Sequence, residues 1–234
     1  MISVCMSAYN GEKYIYRQIK SILDQLKRDD ELIIYDDASV DKTLDIIKSF
    51  YDPRIRLITG EENVGFLKGF QCAMEQAKGE YIFLSDQDDL WMPNKVDLMM
   101  QYFERCNCDC IVHDAVVVND DMKVLHESLF ALRGCSSRAL RNFVKNTITG
   151  ACMAFRADMR QYILPFPDNI SYHDRWIAIV LGIRKKQICI ITEKLICYVR
   201  HTGTVTNLIS NKITRIMLDR LVLGIEIVKY LKSM

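Results

Sequence analysis

The chain has 234 residues, 50% of them hydrophobic, with 31 Lys+Arg against 30 Asp+Glu and a formal charge of +1. That is enough for a sizeable core in one large domain or two small ones, and it removes the global basic field on which wholesale nucleic-acid binding depends. Ten Gly and four Pro argue against collagen-like or linker-rich sequence, and no run of about eighteen uncharged apolar residues offers a membrane span.

Ile2–Ser7 is a short strand-type run ending in the turn chemistry of Ala8-Tyr9-Asn10-Gly11. Ile15, Ile19, Ile22, Leu23 and Leu26 then recur at helical spacing. Glu31–Tyr35 reads as a buried strand running into Asp36-Asp37-Ala38-Ser39, and Asp41 is placed to cap a helix carrying Leu44, Ile47 and Phe50. Ile55–Thr59 is a third strand, 65–77 a loop entering a helix, and Tyr81–Leu84 a fourth strand that stops at Ser85-Asp86-Gln87-Asp88-Asp89. A strand–helix alternation repeated four times predicts an α/β fold with a mostly parallel sheet flanked by helices. Ligands of such sheets sit outside the carboxyl ends of the strands.

Beyond about residue 110 the pattern loosens. Strands are expected at 111–118, 151–155, 188–191 and 195–199, and helices at 138–145, 157–163 and 175–181. With no Pro/Gly-rich linker, residues 1–205 read as one domain, its halves 1–109 and 110–205, followed by a helical extension over 206–234. Within that extension Ile213–Leu231 is apolar with interspersed charges, which is an amphipathic pattern.

Nine cysteines are scattered, and Cys106, Cys108 and Cys110 alternate instead of forming the paired spacing a zinc ribbon needs. They read as buried, reduced thiols of a cytoplasmic protein. Ile2–Ser7 is too short, and lacks the basic flank, for a secretory signal. GxxxxGK[ST] and GxGxxG are both missing, which removes the P-loop and the dinucleotide fingerprint.

Asp86-Gln87-Asp88-Asp89 follows a buried strand, with no basic residue before Lys95. Carboxylates this close repel unless a cation compensates them, and hard divalent ions take oxygen ligands together with substrate phosphates. A solvated acidic turn capping the next helix is the alternative for the motif taken alone. Asp36-Asp37 could likewise accept hydrogen bonds from a base or ribose, or belong to an ordinary turn.

Taken together, Ser7-Ala8-Tyr9-Asn10-Gly11, YDDASVDKT at 35–43, NVGF at 63–66 and LSDQDDLWMPNK at 84–95 resemble family 2 inverting glycosyltransferases of the GT-A fold. The nearest flavour is the bacterial rhamnosyltransferase-like members. The resemblance implies that Ser7, Tyr9, Asp37 and Asp86 contact the nucleotide-sugar, with Tyr9 stacking on the base and Asp37 reading its N–H. Asn63 and Lys68 would lie near the diphosphate, and Asp88 would ligate Mg²⁺ or Mn²⁺. It further implies transfer of a sugar, from dTDP-rhamnose or a UDP-sugar, to a saccharide or polyprenyl-diphosphate-linked acceptor in bacterial cell-surface polysaccharide synthesis. A degenerate domain that binds without turnover is the alternative.

An inverting enzyme needs a base for the acceptor hydroxyl. Tyr172-His173-Asp174-Arg175-Trp176 matches the family's acidic pair at a helix start. Asp174 is then the base, His173 replaces the commoner acid, and Trp176 and His173 are candidates for acceptor binding. Arg200-His201-Thr202-Gly203 resembles the segment whose His completes the metal site, which marks His201. Thr149-Gly150-Ala151 resembles the small-residue turn beneath the acceptor. Arg133, Arg138, Arg141, Lys145, Arg156 and Arg160 outnumber Asp158, while Lys212, Arg215, Arg220, Lys229 and Lys232 outnumber Asp219 and Glu226. Both stretches are ordinary solvated faces or a peripheral contact with the inner face of the cell membrane.

Overall fold

The computed structural model describes residues 1–201 and 213–234. Thr202, Gly203, Lys212 and the side chain of Arg215 lie outside the described residues. In chain order, β1 (Ile2–Ala8), α1 (Ile15–Leu23), β2 (Glu31–Asp36), α2 (Thr43–Lys48), β3 (Ile55–Thr59), α3 (Phe66–Glu75) and β4 (Tyr81–Ser85) form the regular first half. Then come β5 (Leu90–Trp91), α4 (Lys95–Cys106), β6 (Cys110–Asn119), β7 (Val124–His126), α5 (Leu129–Arg133) and α6 (Ala139–Val144). The chain closes with β8 (Met153–Arg156), α7 (Arg160–Ile163), α8 (His173–Ile183), β9 (Ile188–Arg200) and α9 (Ile213–Lys232).

One sheet runs through the molecule in the order β3-β2-β1-β4-β8-β6-β9-β5, with β7 on β6. The first four strands are parallel, as their crossover helices require. β8 enters antiparallel to both β4 and β6, so the sheet is mixed beyond β4. β9 returns parallel to β6, and its register shifts on either side of Asp114. Such irregularities bend a strand and bring polar residues such as Lys194 through an otherwise apolar run.

The sheet's centre is buried on both faces. Val4, Cys5, Met6, Ile33, Phe83 and Leu84 are all fully enclosed, which is why these strands read as continuous apolar runs and not as alternating ones. All nine cysteines are free thiols, and Cys5, Cys108, Cys110 and Cys152 are buried. Burial raises the thiols of Cys135 and Cys108 to about 12, so these are protonated packing residues.

Candidate functional site

The in-register parallel pairing of β1, β2 and β4 aligns their carboxyl ends. Ala8 lies beside Asp36, and Met6 beside Ser85. Tyr9, Asp37 and Asp86, each the next residue along or one beyond, therefore emerge at one edge. Gln87 ties the edge together. Its amide accepts from Tyr9 N at 3.0 Å and donates to Tyr9 O at 3.0 Å. A Cβ on Gly11 would come within 2.3 Å of that amide oxygen, so glycine is the residue that fits there.

On the side of the cleft formed by β1 and β2, Ser7 Oγ packs against Gly69 of α3, where a Cβ would approach it to 2.2 Å. Tyr9 is 44% exposed, a free ring at the cleft mouth. Asp37 is buried, and its two oxygens accept Val64 N and Gly65 N, each at 2.8 Å. Its first task is thus to fix the turn that carries Asn63. A contact to a nucleotide base would use the lone pairs these bonds leave. Asn63 and Lys68 are exposed on that turn and on the first turn of α3. The neighbouring Asp36 accepts Ser39 N with one oxygen and buries the other without a hydrogen-bond partner among the described residues.

The acidic loop is gripped from below by α1. Gln18 Nε2 donates to Ser85 Oγ at 2.7 Å and to Asp86 O at 3.1 Å, while Arg17 Nη2 donates to Asp88 O at 3.1 Å. Ser21 Oγ accepts Trp91 N, and Gln25 bonds both Met92 O and Val96 N. Gln18 and Ser21 share one face of α1 and Gln25 lies in the turn just beyond it, so α1 and its C-terminal turn set the whole 85–96 segment.

Carboxylate oxygens of Asp86, Asp88 and Asp89 lie within 4.8 Å of one another. Burial, then the charges of Asp88 and Asp174, push Asp86 up to about 7. Asp89 is raised well above the usual carboxylate range by burial and by its two neighbours. Asp89 Oδ1 accepts Val199 N at 3.0 Å, but its buried Oδ2 has no hydrogen-bond partner among the described residues. Three crowded carboxylates and one orphaned oxygen are the donor set a hard divalent cation takes up, and such a cation would relieve their repulsion. The residues present fit the ion.

His201, 113 residues further along, brings Nε2 to 2.7 Å from Asp88 Oδ2 and stacks on Tyr14 at 4.5 Å between ring centroids. From below comes Lys95, fully buried, with Nζ donating to Ala151 O at 2.9 Å and lying over the Trp91 ring. Burial lowers its ammonium to about 7, against the opposing pull of Cys152, Asp89 and Asp86.

Asp174 sits in the first turn of α8 and is 9% exposed. Its Oδ1 accepts Asn146 Nδ2 at 2.9 Å and Arg175 N at 2.6 Å, and its Oδ2 accepts Gly150 N at 3.1 Å. It is close enough to Asp86 to raise that carboxyl group. The turn at Thr149-Gly150-Ala151 therefore holds the carboxylate, and Gly150 is required: a Cβ would meet His173 Nε2 at 2.5 Å.

The other two acceptor-side candidates lie inside the fold. Trp176 is 2% exposed, donates its indole N–H to Ile163 O at 3.1 Å and meets Tyr230 edge-on, so it is a packing residue of the core. His173 is buried among Phe66, Phe70 and Phe166, and neither ring nitrogen has a hydrogen-bond partner among the described residues. Burial lowers its pKa, so the ring is neutral and acts as a wedge between α3 and Gly150. Sequence reasoning missed Asp89, Lys95 and Asn146 as members of the site. Asp89 was within the acidic string. Lys95 closed the 84–95 string without a role assigned to it, and Asn146 carries no signal, because only the fold brings the segment after α6 to this edge.

The sheet, with carboxylates gathered at its strand ends and faced by the helix-borne Asp174, has the GT-A fold. The chain belongs to the family described as Glycosyl transferase family 2, whose pattern matches residues 3–164. It is 31% identical over 163 residues to TuaG of Bacillus subtilis, a glycosyltransferase assigned to teichuronic acid biosynthesis, covering 69% of this chain and 63% of that one. It is 25% identical over 189 residues to the Escherichia coli UDP-Glc:α-D-GlcNAc-diphosphoundecaprenol β-1,3-glucosyltransferase WfgD, covering 77% and 70%. The similar WfaP of Escherichia coli is 36% identical over 44% of this chain and 41% of its own. The chain thus spans between 41% and 70% of the length of these three relatives. Among solved structures, S. aureus TarS in complex with UDP-GlcNAc superposes with a TM-score of 0.74 at 20% identity, over 94% of this chain and 65% of that one. The Pyrobaculum calidifontis mannosyltransferase with GDP-Man and Mn²⁺ gives 0.63 at 17%, over 87% and 57%. At such identities the structures speak for the fold.

Proposed function

We propose that this glycosyltransferase performs a metal-dependent single displacement, moving a sugar from a nucleotide-sugar to an acceptor hydroxyl with inversion at the anomeric carbon. One observation carries the reading. The Asp174 carboxylate, fixed by Asn146 and Gly150, stands within electrostatic reach of Asp86 in the acidic cluster. Asp174 Oδ2, which accepts one backbone bond and keeps a lone pair, takes the proton of the acceptor hydroxyl. The freed oxygen bonds to the anomeric carbon, and the carbon–oxygen bond to the diphosphate breaks with its electron pair leaving on the nucleoside diphosphate. Asp86, Asp88 and Asp89, with His201 on Asp88, are the residues that would hold Mg²⁺ or Mn²⁺. Such an ion, when bound, neutralises charge on the departing diphosphate.

Tyr9 covers the base, Asp37 sets the 63–65 turn and offers the base its remaining lone pairs, and Ser7, Asn63 and Lys68 complete the donor side. The relatives named for UDP-glucose support a UDP-sugar over dTDP-rhamnose. The diphosphoundecaprenol in the relatives' names supports a polyprenyl-diphosphate-linked saccharide as acceptor, within cell-surface polysaccharide synthesis.

The test is transfer from UDP-sugars and dTDP-rhamnose to such an acceptor, with the product's anomeric configuration read by NMR. Inversion, loss of turnover in EDTA and recovery with Mn²⁺ are expected. Asp88→Asn should lower turnover by about a hundredfold or more. A product with retained configuration would contradict the single displacement.

A further inference from the structure

An ordinary surface helix hides its apolar stripe and shows its charges, whereas α9 carries apolar groups on both sides. Its inner side buries Leu223 in the core, packs Ile227 and Tyr230 against it, and holds polar pairs between them. Asp219 pairs with Arg175 and accepts from Ser171, Tyr230 Oη accepts from Arg184 Nε at 2.7 Å, and Glu226 is buried beside Lys229. Its outer side presents Met217, Leu221, Ile225 and Val228, between 48% and 65% exposed, at spacings of four, four and three residues. Leu140 and Val144 of α6, 76% and 50% exposed, continue this apolar surface. The two helices are joined, with Arg220 of α9 donating to Val144 O.

The charge around this face has one sign. Arg138, Arg141 and Lys145 flank α6, and the sequence holds no Asp or Glu from 128 to 157. Arg220 and Lys232 lie on α9, whose two acids are already paired with Arg175 and Lys229. Large apolar groups inside a purely cationic rim match a bilayer, whose acyl chains take the apolar groups and whose anionic headgroups take the cations. Among the described residues no helix is long and apolar enough to cross a membrane, so the match is to lying on the surface.

We infer that the outer face of α9, together with α6, docks this chain onto an anionic lipid bilayer. The consequence for catalysis rests on the proposed polyprenyl-linked acceptor. The segment just after α6 supplies Asn146 to Asp174, and Arg175 donates to Asn142 O and Phe143 O. The same support thus carries both the lipid-facing surface and the base, and an acceptor held in the bilayer is delivered beside Asp174.

The test is co-sedimentation with vesicles of phosphatidylcholine alone and of phosphatidylcholine mixed with phosphatidylglycerol, read without turnover. Binding to the mixed vesicles that weakens with added salt is expected. The Leu221→Glu/Ile225→Glu variant should lower the partition coefficient by about tenfold or more while keeping its thermal unfolding unchanged. Arg141→Glu/Lys145→Glu, at exposed positions of α6, should do the same through charge. Absence of binding to the anionic vesicles overturns the inference, and so does binding that neither variant alters. Self-association abolished by Leu221→Glu/Ile225→Glu, without vesicle binding, would assign the face to a second copy of this chain instead. Because no sugar transfer is read, failure of the catalytic reading leaves this result intact, and the reverse also holds.

Discussion

Gly150 is the residue on which two parts of the site meet. Its N–H holds Asp174 Oδ2, and its missing Cβ leaves room for the His173 ring. Gly150→Ala should therefore displace either the ring or the turn, costing about 1–3 kcal/mol of stability. Because the turn also positions the carboxylate, transfer should fall by about tenfold or more beyond any loss from unfolding. Steady-state kinetics at a temperature where both proteins are folded would check this, and unchanged kcat would contradict it.

His113 offers a cleaner electrostatic test away from the acidic cluster. It is fully buried on β6, its Nδ1 bonded to Asp114 O, and burial together with Lys95 holds its pKa well below 6.5. The unfolded chain takes up a proton below about pH 6.5 and the folded chain does not, so folding stability falls as pH falls. The slope from this group approaches about 1.4 kcal/mol per pH unit. His113→Asn, followed by chemical denaturation from pH 7 to pH 5, should show a shallower acid loss than the wild type. Equal slopes would mean the imidazole is hydrated in the fold.

Among the elements, α1 decides the shape of the acidic loop. Gln18 is fully enclosed and supplies the donors for Ser85 Oγ and Asp86 O. Gln18→Leu removes both donors and leaves Ser85 Oγ and Asp86 O only the bond between them, at about 1–3 kcal/mol. For a chain of this size that corresponds to a melting temperature lowered by about 2–4 °C per kcal/mol. Mn²⁺ affinity measured by calorimetry should weaken alongside, since Asp86 loses its support. Unchanged metal affinity in a destabilised variant would separate the helix from the site.

The elements also show what could be read in advance. The four parallel strands were legible because each is a run of apolar residues stopped by polar ones, and their carboxyl ends pointed to Tyr9, Asp37 and Asp86. β9 was read as two strands because Glu193 and Lys194 interrupt it, whereas the fold carries them through register shifts against β6. β5 and β7, of two and three residues, are too short for any periodic signal. Trp176 followed the motif into the acceptor pocket, but on α8 its position faces the core, with its N–H satisfied by Ile163. The resemblance of the strings located the first half of the site. The contributions of Lys95 and Asn146 came only from packing.

For the molecule as a whole, the mixed sheet is what joins the two halves of the chemistry. β8, entering antiparallel next to β4, and β9, returning along β6, bring residues from opposite ends of the chain to one edge. Asp88 thereby meets His201, and Asp174 comes within the field of Asp86. The donor side and the base are built on separate supports: β1, β2, β4 and α1 for one, α6 and α8 for the other. Removing the base should then leave donor binding untouched.

The most direct measurement pairs calorimetric binding of the nucleoside diphosphate and Mn²⁺ with sugar transfer, in the wild type and in Asp174→Asn. Asn keeps one acceptor oxygen, enough for Gly150 N–H or for the Asn146 and Arg175 donors but not for both, and it cannot accept the acceptor's proton. The account predicts wild-type nucleoside diphosphate affinity, a change in Mn²⁺ affinity no larger than the loss of one charge near Asp86 gives, and transfer lowered by about 10²–10⁴-fold. Transfer at the wild-type rate in Asp174→Asn would contradict it.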